Sequence, residues 1–469
     1  MKSIWKQDVT LVSNKSLQNS MGVQAVVIGG GMAGLLTAYF LQKKGIETVV
    51  LEATHIAGGQ TQNTTAKITS QHGLFYADAC KKIGRQRARE YAMANEMAIS
   101  RFEEVIRQEK IECGFQRLPS YLYTTQEEQV ELLKEEARAA SRCGIDSSYV
   151  NGREIKELPF PVAGAVKFEN QAQFHPLAFM KAISEKVTVY DNTKVLAVKG
   201  HTIITEDNQI EADYIVFATH YPFVNVPGFY FMRQHQERSY VMALKEAGEL
   251  SGMYYGIEED ALSFRSVGKD VLLGGGSHRT GKKITCNDAK YGYSFLEKKA
   301  KQYYPEAEIV ARWSAQDCIS HDKVPFIGKY SVFFPYWYVA TGFKKWGMTT
   351  SMIAATAINE EIYEEILEDS GQKESATRIN QAGIFSPQRI WVRAAGKSFC
   401  VDMKESIVGL AKGSVTKKEP RCPHMGCKTE WNPQENSWDC PCHGSRFTYE
   451  GELIDNPAQT NLKTHYNGV

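Results

Sequence analysis

Between Arg421 and Ser445 the chain gathers four of its ten cysteines, Cys422, Cys427, Cys440 and Cys442, with His424 and His443. Thiolates and neutral imidazoles are the common side-chain ligands for zinc and for iron–sulfur centres. The pairs Cys422-x-His424 and Cys440-x-x-His443 therefore suit either tetrahedral zinc or a two-iron cluster of mixed ligation. The other six cysteines, Cys80, Cys113, Cys143, Cys286, Cys318 and Cys400, follow no spacing and read as buried thiols in a reducing compartment.

A second chemical signal lies near the start, in VQAVVIGGGMAGLLTAYFLQKKGIETVVLE, residues 23–52. An apolar run, Val23 to Ile28, has strand character and stops at glycines. A helical pattern of Leu35, Leu36, Tyr39, Phe40 and Leu41 follows and ends at Lys43-Lys44-Gly45, and a second strand, Thr48 to Leu51, precedes Glu52. Gly29, Gly31 and Gly34 fit G-x-G-x-x-G around Met32 and Ala33. Gly29 permits the tight turn, Gly31 admits a pyrophosphate against the backbone, and Gly34 lets helix meet strand while the helix N-terminus faces the phosphates. Glu52 is placed to bond ribose hydroxyls and to repel a 2′-phosphate, which disfavours NADP.

Longer segments resemble known families. HIAGGQTQNTTAKITSQHG from His55, WSAQDCISHDKVPFIGKY (residues 313–330) and YVATGFKKWGMTTSMIAA (residues 338–355) resemble, in this order, elements of the D-amino-acid-oxidase and sarcosine-oxidase superfamily of FAD enzymes. Lys323 stands where that superfamily's D-G-x-P-x-I-G has glycine. VYDNTKVLAVKG and ADYIVFATHYP look like its adenine-side strands. The resemblance covers roughly residues 20–365 and implies FAD held by Gly29, Gly31, Met32, Ala33, Gly34, Glu52, Gly59, Lys67, Val195, Gly342, Trp346, Gly347 and Met348. Members with covalent flavin use a cysteine in the 313–322 region; Ala315 aligns there, so noncovalent FAD is expected. Related oxidases hold a substrate carboxylate with an arginine and shape the site with tyrosine. By that resemblance Arg265, Tyr240, Tyr254 and His278 are the candidate catalytic residues, with Arg238 and Tyr255 behind them.

The terminal pattern C-x-H-x-G-C followed by C-P-C-H-G-S resembles the Rieske family, whose [2Fe-2S] cluster has two cysteines on one iron and two histidines on the other. The resemblance implies Cys422 and Cys440 on the inner iron, His424 and His443 on the outer, tight turns at Gly426 and Gly444 that aim amides at the sulfurs, a disulfide between Cys427 and Cys442, and a hydroxyl at Ser445 near a bridging sulfur.

These sites need elements to hold them. The fold class expected is an α/β Rossmann-like FAD-binding domain, built discontinuously from 1–85, 150–222 and 301–367, with an inserted α+β substrate domain from 86–149 and 223–300. A linker at 368–382 leads to an all-β Rieske domain, 383–469, whose alternating QRIWVRAAGKSFCVDMK suggests strand. With 55 basic and 54 acidic residues the net charge is +1, so no summed field favours nucleic acid. The N-terminal stretch lacks a signal-peptide core and no run approaches the roughly 18 apolar residues of a membrane span, so a cytoplasmic protein is expected. No Ser-His-Asp order or paired carboxylates suggest hydrolysis, and no 2-His-1-carboxylate pattern suggests a mononuclear-iron oxygenase. The expected function is an FAD-dependent dehydrogenase that oxidises an amine or amino-acid-like small molecule and passes electrons through the cluster to an external protein or quinone. The alternatives are inward electron flow, for a reduction or desaturation, and a non-enzymatic redox sensor or electron carrier.

Overall fold

The computed structural model describes residues 3–370, 383–389, 398–408 and 420–463. Its first sheet runs in the order Phe326–Ser331, Phe334–Thr341, Gln209–Phe217, Met21–Ile28, Thr48–Leu51 and Thr188–Tyr190, with the short strands Ala197–Lys199 and Thr202–Ile204 folded against Gln209–Phe217. All neighbours from Phe334–Thr341 to Thr188–Tyr190 are parallel. A parallel sheet is covered on both faces, which is why Val26 and Val27 are both fully buried and the sequence shows an unbroken apolar run there. The helices Met32–Lys43 and Gly347–Asp369 pack on it, and the long helix Arg85–Glu109 packs on Gly347–Asp369. Gly34 marks the closest approach of helix to strand: a Cβ there would lie 1.9 Å from the Gly29 carbonyl oxygen.

The second sheet runs Ile309–Ser320, Gln234–Leu244, Asp270–Arg279, Ser263–Val267, Met253–Gly256, Gln116–Thr124, Gly164–Gln173, Lys67–Ile68, with Ser147–Asn151 on Gly164–Gln173. Three of these strands, Lys67–Ile68, Gly164–Gln173 and Ile309–Ser320, fall in spans that the sequence division gives to the FAD-binding part, yet the last two pair with strands of the inserted part and Lys67–Ile68 joins that sheet through Gly164–Gln173. The chain crosses between the two sheets more often than composition reveals, because pairing partners are distant in sequence.

A third sheet is an antiparallel meander, Glu430–Asn432, Ser437–Asp439, Arg446–Thr448, Leu453–Asp455. Before it, residues 398–408 are helical where the sequence reading suggests strand, and residues 390–397 and 371–382 lie outside the described residues. A helix places Asp402 and Ser406 on one face, toward the body, and leaves Phe399, Val401 and Ile407 exposed. The buried position is an aspartate, so its periodicity is invisible to a hydrophobic pattern. Cys400 on this helix and Cys286 in a surface turn are exposed, unlike the buried thiols expected, since neither lies on a packed face. Among the described residues no helix is long and apolar enough to cross a membrane.

Candidate flavin and cluster sites

A cavity of about 1120 Å³ opens between the first two sheets. At one end lie Gly29, Gly31, Met32, Ala33, Glu52 and Val195, and beyond them Gly59, Lys67, Trp346, Gly347 and Met348. Gly29 has φ +111°, and a Cβ there would meet the Ala218 carbonyl oxygen at 2.6 Å, so only glycine makes this turn without displacement. Gly31 caps the helix Met32–Lys43 without a side chain of its own, and the Met32 amide donates to Thr61 Oγ1 at 3.0 Å, so the helix end that faces the cavity carries a hydroxyl beside its amides. Glu52 accepts from the Gly30 amide at 2.7 Å and from the Thr54 amide at 2.9 Å, so it is fixed at the end of its strand. Gly342, φ +75°, is not a lining residue but turns the chain out of Phe334–Thr341 toward Trp346. These residues fit a dinucleotide cofactor: a glycine-flanked helix end for its pyrophosphate, a carboxylate for its ribose and space for a ring system. Ala315 lines the cavity, whereas Cys318 is buried with its sulfur 3.8 Å from Thr341 Oγ1. Lys323, in the place of the family's glycine, keeps a left-handed φ of +64°.

The far wall is polar. Lys345 Nζ lies 3.1 Å from Asp317 and bonds Ser239 and Ser277. Burial alone would lower this lysine; Asp317, Tyr255 and Glu237 instead hold it above its ordinary value. Glu237 also lines the cavity. Burial pushes its carboxyl up, but His235, Lys345 and Lys344 outweigh that and hold it down at about 2, so it is ionised. Burial takes Lys344 and Lys67 down to about 7. Lys67 Nζ donates to the Tyr254 carbonyl at 2.9 Å and to Ser263.

The four residues expected to meet substrate separate into two groups. Tyr240 and His278 line the cavity and bond each other, Oη to Nε2 at 2.9 Å, with burial raising the phenol and lowering the imidazole. Arg265 and Tyr254 are not lining residues. Arg265 gives its Nη1 hydrogens to the Thr65 and Ala66 carbonyls at 2.7 and 2.8 Å, over the Trp5 ring, and Tyr254 donates to Glu157 at 2.8 Å. Glu237, Asp317 and Lys345 carry no motif. Their only sequence signal is charge within otherwise alternating strands.

The cluster loops are a pair. Cys422 and Cys440 are each 1% exposed and interact with one another, and the backbone of His424 and Met425 favours the thiolate of Cys422 as that of Cys442 and His443 favours the thiolate of Cys440. Gly426 (φ +80°) and Gly444 (φ +87°) close the two turns, their amides bonded to the Cys422 and Cys440 carbonyls at 2.8 and 3.0 Å. Cys427 and Cys442 are joined by a disulfide that ties loop to loop. Ser445 Oγ accepts from the Ala458 amide at 2.9 Å, and its hydroxyl helps to hold the Cys422 thiol below its ordinary value. The His424 and His443 rings stand 4.9 Å apart at 89°, and the Nδ1 of each is buried without a partner. Burial holds both imidazoles neutral, at about 4 and about 3. Two adjacent thiols and two orphaned neutral nitrogens converging on one space fit a mixed-ligand iron cluster.

This unit is docked on the second sheet. Along Gln234–Leu244, Glu237, Ser239 and Val241 line the cavity, Gln236 and Arg238 face the cluster domain, and Tyr240 meets both, lining the cavity and accepting from Asn432 Nδ2 at 3.4 Å. Gln236 Nε2 donates to the His443 carbonyl at 2.8 Å, Gln316 Nε2 donates to Gln236 Oε1 at 2.8 Å and to the Gly444 carbonyl at 2.7 Å, and the Gln316 amide bonds Gln60, beside Gly59. Residues Leu453 to Asp455, with Asn456, also line the cavity. The cluster domain thus forms part of the wall of the flavin cavity.

Known proteins share both parts. A family model described as FAD dependent oxidoreductase matches residues 24–361, and one described as Rieske [2Fe-2S] domain matches residues 389–466. The putative Rieske 2Fe-2S iron-sulfur protein YhfW of Bacillus subtilis is 33% identical over 98% of this chain and 97% of its own. Among solved structures, L-proline dehydrogenase from P. horikoshii superimposes with a TM-score of 0.62 at 16% identity, over 80% of this chain and 98% of that one. L-amino acid deaminase from Proteus vulgaris does so with a TM-score of 0.59 at 15% identity, over 81% of this chain and 100% of that one.

Proposed function

The chain belongs to the FAD dependent oxidoreductase family and carries a Rieske [2Fe-2S] domain behind it, and on that premise we propose that it is a dehydrogenase acting on an amine or amino-acid-like substrate, with electrons leaving outward through the cluster. The observation that carries this reading is the shared wall: one strand, Gln234–Leu244, faces the flavin cavity with Glu237 and Ser239 and the cluster domain with Gln236 and Arg238. When bound, FAD supplies a two-electron acceptor for a C–H bond alpha to nitrogen, and the cluster a one-electron outlet.

The chain's own residues have to orient the substrate, exclude water and manage protons. The ionised Glu237 is suited to pairing with an ammonium group, though held at about 2 it is too weak a base to take that group's proton. Lys345, fixed by Asp317, Ser239 and Ser277, presents a cation on the same wall for a substrate carboxylate. Tyr240 and His278 act as a hydrogen-bonded pair bordering the cavity. Arg265 serves one step back, holding the carbonyls of Thr65 and Ala66 ahead of Lys67. The names of structures sharing the fold, L-proline dehydrogenase and L-amino acid deaminase, agree with a nitrogen-bearing substrate.

The test is an anaerobic preparation whose absorption and electron paramagnetic resonance spectra are recorded before and after adding amines, N-methylated amines and amino acids. Bleached flavin together with a reduced-cluster signal is the expected result. Bleaching with no cluster signal would remove the cluster as outlet. A cluster reduced by dithionite but by no compound of the panel would overturn the substrate class.

A further inference from the structure

We propose that Asn225, which lies outside the Rieske segment, is a positioning residue for the cluster: it fixes the ring of His424 and holds the cluster's reduction potential down. His424 Nε2 lies 3.0 Å from Asn225 Oδ1, while His424 Nδ1 is buried and partnerless on the cluster side. A neutral imidazole that gives Nδ1 to iron carries its hydrogen on Nε2, so the direction of this bond is set: the histidine donates and the amide oxygen accepts. The backbone of Asn225 is itself held, its carbonyl accepting from the Phe229 amide at 2.8 Å. The same segment meets the other outer ligand, since the Phe231 ring lies edge-on to both imidazoles.

An acceptor on the outer nitrogen makes a ligating imidazole a stronger donor to its metal. Stronger donation favours the oxidised iron, so the potential falls relative to a cluster whose histidine has no such partner. The acceptor comes from residue 225, ahead of the 389–466 block, so this cluster's potential is a property of the docked chain and not of its Rieske segment alone.

The test uses the full-length holoprotein and a potentiometric titration of the cluster followed by electron paramagnetic resonance, which needs no substrate. Asn225→Leu removes the acceptor while keeping the same branched four-atom side-chain skeleton and is expected to raise the midpoint potential and move the g-values. Asn225→Asp offers a stronger, anionic acceptor and is expected to lower the potential below that of the parent. Val226→Ala alters the same loop at an exposed side chain and is expected to change neither. Unchanged potentials in both Asn225 variants, shifts of the same sign, an equal shift in Val226→Ala, or loss of the cluster in both Asn225 variants would each overturn the assignment.

Discussion

Single residues carry most of the chemistry here, and they differ in how they are constrained. Gly34 has no room for a methyl group, so Gly34→Ala is expected to cost about 1–3 kcal/mol by overpacking. It should yield protein with little bound flavin but an unchanged cluster spectrum, a split that the ratio of flavin to iron reads directly. The Cys427–Cys442 bond closes a loop of 15 residues, a cross-link worth about 3 kcal/mol in the chain-entropy model. The double variant Cys427→Ser/Cys442→Ser is therefore expected to lose cluster absorbance at a lower temperature while the flavin transition moves less. The cysteine and histidine pairs and the glycine loop are legible in sequence because their partners sit within a few residues of one another. Asn225, Gln236, Gln316 and Lys345 are not, because each meets its partner only after distant segments pack, and Glu237 pairs with His235 beside it but reaches the cavity only once the sheets are assembled. Arg265 shows the converse: its residue type suggests anion binding, but its hydrogens go to two backbone carbonyls.

At the scale of elements, the helix at 398–408 is pinned chiefly through Asp402, with the Phe399 ring edge-on to His321. Asp402 pairs with Arg279, with His235 Nδ1 at 3.0 Å and with His321 Nε2 at 2.5 Å, and His235 Nε2 reaches Glu237 at 3.5 Å. Burial pushes His235 down, as does Arg279, but Asp402 and Glu237 prevail and raise it above its ordinary value. A raised histidine contributes stability that is complete below its unfolded value, about 6.5, and is lost as pH climbs through the folded value. Relative to the parent, His235→Gln should thus show a larger melting-temperature deficit at about pH 5.5 than at about pH 8.5; an equal deficit at both would refute the pairing. Alternation in Gln234–Leu244 is visible in sequence, but which face meets solvent and which meets another domain is not. Both faces of this strand are covered, so polar residues such as Gln236 and Arg238 sit where a surface would be inferred.

For the whole molecule, a net charge of +1 hides a charged interior. Arg238, 2% exposed, pairs with Glu435 at 2.6 Å; Glu435 also meets Arg446, which bonds Asp439 and Asp455. Burial of such a lattice is tolerable only while every charge is matched, so Glu435→Gln is expected to destabilise the protein by about 3–5 kcal/mol. Arg238→Met/Glu435→Leu, which removes both charges, should cost clearly less, as denaturant unfolding would measure. The two-part order of the chain is legible from its motifs; the docking is not, since its contacts join Gln236 to His443 and Lys194 to Gln459 across more than two hundred residues. One relative matches along nearly the whole length, so the pairing of the two parts extends beyond this chain. The Arg238–Glu435 seam bears on how such parts can be exchanged. Transplanting a foreign Rieske module onto this oxidoreductase would strand a buried arginine with only the neutral Ser314 and Gln316 to face unless the newcomer brought its own glutamate, so a successful chimera must import the seam along with the iron site.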